Sequence, residues 1–124
     1  MSYVEDAEAA VKALKKNNRG DSFILTTSKI RGLLSLVSQV YNDARFAEKV
    51  LSDDIVSRIQ YLRVRMVYEA GRDDGRDKPV NDFLDKTKLL KKLEEVGADR
   101  EKFMEFHRYF EALVAYFKFH GGRD

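Results

Sequence analysis

Residues 25–41 read LTTSKIRGLLSLVSQVY, and this stretch decides the fold class. A hydroxyl at Thr26, Thr27 or Ser28 can accept from the free N–H groups of a first helical turn. Beyond it, Ile30, Leu33, Leu34, Val37, Val40 and Tyr41 recur at three- and four-residue spacing. That period gathers all six side chains on one face of a helix, whereas a strand would require alternation at every second residue.

The same signals repeat outward. Upstream, Ser2 with Glu5 makes a capping pattern, and Val4, Ala7, Val11 and Leu14 keep helical spacing until Asn17-Asn18-Arg19-Gly20 breaks it. Downstream, Ser52-Asp53-Asp54 caps a third helix with Ile55, Ile59, Leu62 and Met66 on one face, and Gly71 stands where a left-handed C-terminal residue is wanted. A polar loop with Gly75 and Pro79 leads to a fourth helix over Asn81–Val96, closed by Gly97. A fifth starts at Asp99 and carries Phe103, Phe106, Tyr109, Phe110, Tyr116, Phe117 and Phe119 before Gly121-Gly122. Apolar around most of its circumference, it must be central to the bundle or covered by a partner. The expected architecture is all-α, a single-domain bundle of about five helices over residues 1–124, with the first helix (1–18) at its periphery.

Composition excludes much chemistry. With 124 residues, 44% apolar and 35% charged, the chain can hold one core beneath a strongly charged surface. It contains no cysteine, so disulfides, thiolate metal sites and cysteine nucleophiles are ruled out. The start, MSYVEDAEAA, has acids where a secretory signal needs bases, and no run of about 18 apolar residues occurs, so a cytoplasmic protein without membrane contact is expected. The net charge of +2 is too small to imply an anionic partner by itself.

His107 and His120 are thirteen residues apart on one predicted helix and point to nearly opposite sides, so they cannot share a metal. Asp53-Asp54 sits where a helix start wants acids, and Asp73-Asp74 lies among neighbouring bases. Neither GxGxxG nor GxxxxGK[ST] occurs. No catalytic residue, metal ligand or cofactor is expected.

One charged pattern remains. Arg58, Tyr61, Arg65, Tyr68 and Arg72 fall at intervals of three and four, lining one edge of the third helix, and the run continues through Arg76 and Lys78. Guanidinium forks match phosphate oxygens and tyrosine rings can stack on bases, so the stripe suits an RNA backbone; a solvated face paired with Asp54, Glu69 or Asp73, the commoner use of such a pattern, is the alternative. Lys29 and Arg31 occupy the first turn of the second helix, where a phosphate is favoured, although Thr26-Thr27-Ser28 also reads as an ordinary cap. Arg63 interrupts an apolar arc and reads either as a snorkelling side chain or as half of an ion pair at a subunit interface.

The blocks LTTSKIRGLLSLVSQVY (Leu25–Tyr41), YLRVRMVYEAGRD (Tyr61–Asp73) and FHRYFEALVAYFKFHGG (Phe106–Gly122), in this order, resemble the small subunit of type III-A CRISPR effector complexes. The match spans most of residues 25–122. The resemblance implies a non-catalytic, five-helix subunit that stacks in several copies and helps hold guide and target RNA. Its implied partners are the large and backbone subunits, which perform the cutting and signalling. It favours the RNA reading of the stripe, with Lys29, Arg31, Arg58, Arg65 and Arg72 carried over by position in the matching blocks, and Tyr61, Tyr68, Arg76 and Lys78 completing the expected RNA-contact set. Self-association is expected through the aromatic last helix, at Phe117 and Phe119. The alternative is a structural helical oligomerisation module with no nucleic-acid role.

Overall fold

The computed structural model describes residues 2–123, which form six helices and no strand: α1 (Tyr3–Lys12), α2 (Thr27–Ala44), α3 (Asp53–Gly71), α4 (Pro79–Thr87), α5 (Leu89–Val96) and α6 (Arg100–Phe119). The all-α class holds, but the count is six, because the helix expected over Asn81–Val96 breaks at Lys88. Caps explain most boundaries. The side chains of Ser2, Thr26, Ser52 and Asp99 each accept from the backbone N–H three residues on, satisfying donors that a helix start leaves free. Gly71 is the last residue of α3 rather than a left-handed terminator, and Gly75 in the following loop takes the positive φ instead.

The Lys88 break has a specific cause. Thr87 donates its hydroxyl back to the Phe83 carbonyl at 2.7 Å, and the freed Thr87 carbonyl accepts from the Tyr109 hydroxyl at 2.8 Å. Lys88 then adopts φ 60, so α5 leaves α4 at a new angle. Burial of the Tyr109 phenol pushes its pKa up to about 12, keeping it a donor. Left-handed backbone costs a residue with a Cβ about 1 kcal/mol. Lys88→Gly should therefore raise stability by roughly 0.5 kcal/mol, after allowing for the extra freedom of glycine in the unfolded chain. The check is a higher denaturant midpoint at unchanged slope.

α6 lies at the centre, packed against α1, α2 and α5. Its Phe103, Phe110, Leu113 and Phe117 are completely buried, and Phe110 meets the rings of Phe83 and Phe106 at 6.0 and 6.4 Å. The circumferential apolarity of this helix is thus spent mainly inside the chain. α1 is not a loose appendage: Ala7, Ala10 and Val11 are buried, and Asp82 of α4 accepts from the Lys15 backbone N–H at 2.8 Å. The chain end folds back over the same core. Gly122 donates to the Phe117 carbonyl at 2.8 Å, at a point where a Cβ would overlap the Phe117 ring, and Thr27 N–H donates to the Arg123 carbonyl at 3.3 Å. On the other side, α3 packs against α2, α4 and α5, leaving one long edge of α3 outside.

Candidate nucleic-acid interface

The outer edges of α2 and α3 enclose a groove of two adjoining hollows. The larger, about 480 Å³, is lined by Leu36, Gln39, Val40, Asp54, Arg58, Tyr61 and Arg65 among others. The smaller, about 210 Å³, lies towards the start of α2 and is lined by Lys29, Gly32, Leu33, Leu36, Arg65 and Glu69 among others. Leu36 and Arg65 belong to both, so the two hollows adjoin, and their lining mixes apolar residues with Lys29, Arg58 and Arg65 and the acids Asp54 and Glu69.

Helical geometry places these groups. Arg58, Arg65 and Arg72 are seven residues apart, close to two full turns, and so follow one edge of α3 with roughly 10 Å between successive side chains. Tyr61 and Tyr68 stand beside them, 57% and 58% exposed. Each arginine is held by a carboxylate. Arg58 donates to Asp43 at 2.7 Å and to the Gln39 carbonyl at 3.4 Å. Arg65 and Arg72 share Glu69, at 3.9 and 3.3 Å, and the Arg72 guanidinium also lies 5.8 Å from the Tyr68 ring. The three arginine side chains stay partly exposed, so each pair is worth little to stability, although Glu69 is mostly buried and the Arg65 Nε is buried without a hydrogen-bond partner.

The other expected site residues lie elsewhere. Arg31 is exposed but two residues from Lys29, about 200° around α2, and does not line the groove. Arg76 and Lys78 are exposed in the loop between α3 and α4, where Asp73 accepts from the backbone and side-chain amides of Asn81 at 2.8 and 2.9 Å. Arg63 forms an exposed ion pair with Glu94 of α5 at 3.7 Å, within the chain. Phe117 is buried against Phe23, with ring centroids 4.9 Å apart, so it is not available as a surface contact in this conformation. Phe119 is 78% exposed. Sequence reasoning missed the groove floor, Gly32 and Leu36, and missed Asp43, whose approach to Arg58 depends on how α2 and α3 pack.

The histidines serve packing. His107 is buried, stacked on Tyr41 at 3.8 Å and beside the Ser38 hydroxyl at 3.3 Å, and burial lowers its pKa. His120 pairs with Glu8 at 2.8 Å, joining α6 to α1. Among the described residues no group of three or more acids or histidines is arranged to hold a metal ion, and no helix is long and apolar enough to cross a membrane.

Residues 2–123 match the family model Csm2 Type III-A. The chain belongs to this family. The match to the Csm2 model begins well before the blocks at 25–122, so α1 falls within it. "CRISPR system Cms protein Csm2" of Streptococcus thermophilus is 46% identical over 123 residues, covering 99% of this chain and 94% of the relative. The protein of the same name from Mycobacterium tuberculosis is 41% identical, covering 98% and 94%. That of Enterococcus italicus is 39% identical over 113 residues, covering 85% and 78%. The resemblance read from the three sequence blocks is thereby established as Csm2 membership.

Proposed function

We propose that this Csm2-family chain is a non-catalytic, RNA-contacting small subunit of a type III-A CRISPR ribonucleoprotein, present in several copies and helping to hold guide and target RNA beside the large and backbone subunits. The observation that carries the RNA role is the groove itself. Lys29, Arg58 and Arg65 line two adjoining hollows, Tyr61 among the lining of the larger, and Tyr68 and Arg72 extend the line along α3. Forked donors along a helix edge, with rings free to stack, contact backbone and bases without reading sequence. The exposed Val64 and Val67 on the same helix, together with Phe119, favour burial against other subunits or other copies.

Amine-reactive labelling of the assembled complex tests the placement. Target RNA should shield Lys29 from modification while leaving Lys102, exposed at the start of α6, as reactive as before. Equal labelling of Lys29 with and without RNA would contradict the assignment. Metal-dependent RNA degradation by the purified chain would contradict its non-catalytic role.

A further inference from the structure

The carboxylates that hold the arginine edge are of two kinds. Glu69 lies on α3 itself, its side chain only 17% exposed, and takes Arg65 and Arg72 at the ordinary i,i+4 and i,i+3 spacings. Asp43 lies on the last turn of α2, fifteen residues from Arg58 in sequence, with its carboxylate largely in solvent. Arg58 has an acid one turn back on its own helix, Asp54, which lines the same groove. Its guanidinium nevertheless reaches across to α2, where one nitrogen meets Asp43 at 2.7 Å and the other the Gln39 carbonyl at 3.4 Å. Two of the five guanidinium N–H donors, one on each terminal nitrogen, are therefore directed to the α2 side. A phosphate bound end-on, across both terminal nitrogens, would compete with Asp43 and Gln39 for that end of the fork.

We propose that Asp43 sets the affinity of the groove, occupying the Arg58 fork in the free chain and yielding it to phosphate when RNA binds. This rests on the RNA-contact reading above. Binding at Arg58 is then an exchange of one anion for another, so the gain per copy is only the difference between a phosphate and an exposed carboxylate. A lone chain holds stray RNA poorly under that arrangement. A row of copies engaging one strand recovers affinity by repetition, and discrimination in favour of the assembled state is built into the site.

The test compares RNA affinity in two backgrounds, with an unstructured oligouridylate as the probe and both the free chain and the assembled complex as binders. Asp43→Asn is combined with Asp54→Asn so that Arg58 has no second acid to turn to, and circular dichroism confirms that the helices are kept. The double variant should bind about two- to fivefold more tightly at low salt, the range expected for release of one exposed ion pair. In an Arg58→Ala background the same two substitutions should give no gain. A gain that persists without Arg58 would reduce Asp43 to a general contribution to the field, and a loss of affinity would mean that it orients Arg58 instead of competing for it; either overturns the proposal. Should replacing Arg58, Arg65 and Arg72 together leave RNA affinity unchanged, the RNA reading itself fails. Should that variant lose affinity while the Asp43 and Asp54 substitutions gain nothing, only the role of Asp43 fails.

Discussion

Phe110→Ala should destabilise the chain by about 3–5 kcal/mol, a large part of the roughly 5–15 kcal/mol that holds a domain of this class together. Phe110 is completely buried at the centre of α6, between the rings of Phe83 and Phe106. Truncation removes a large apolar surface and leaves a cavity that α4 and α6 cannot both close. A lowered denaturant midpoint and a fall of ten degrees or more in Tm would be seen by circular dichroism, on the usual scaling of about 3–6 °C per kcal/mol near this size. The matched control is Phe119→Ala on the same helix. Because Phe119 is 78% exposed, its removal should change stability by no more than about 0.5 kcal/mol.

The second large effect concerns the arginine edge. Arg58, Arg65 and Arg72 replaced together by Ala should lower the affinity of the assembled complex for target RNA by two orders of magnitude or so, taking about 1 kcal/mol for each charge-assisted contact. The salt dependence should flatten by roughly 0.7–0.9 in logarithmic slope per lost contact, since each contact releases condensed counterions. Unrelated RNA sequences should suffer alike, because phosphate contacts position a strand and carry no sequence information. The fold of the chain itself should persist, as all three side chains are partly exposed and their ion pairs, with Asp43 and Glu69, are peripheral to the core.

How much of this was readable in the sequence differs by element. The starts of α2, α3 and α6 were legible because Thr26, Ser52 and Asp99 satisfy local donors, and a local hydrogen bond needs no knowledge of the rest of the chain. The break at Lys88 was not. Residues 81–96 keep a helical apolar period throughout, and the element that stabilises the break, the hydroxyl of Tyr109, comes from a helix twenty-two residues away. Periodicity also showed that the last helix had too much apolar surface for an ordinary exposed face. It could not tell which part α1, α2 and α5 would cover, so Phe117 and Phe119 read alike although one is buried and the other open. The arginine edge followed from spacing alone, whereas the groove beside it depends on α2 and α3 lying together, and Arg31 shows the limit: adjacent to Lys29 in the sequence reading, it is on the other side of α2.

The most direct measurement of the central claim is photo-crosslinking from defined positions within the assembled complex bound to target RNA. A photoreactive phenylalanine analogue replaces Tyr61 at the rim of the α2–α3 groove, or Glu95 of α5 on the side of the bundle facing α1 and α6. The RNA-contact reading predicts covalent RNA adducts from position 61 and none from position 95. Adducts from position 95 with none from position 61 would contradict it.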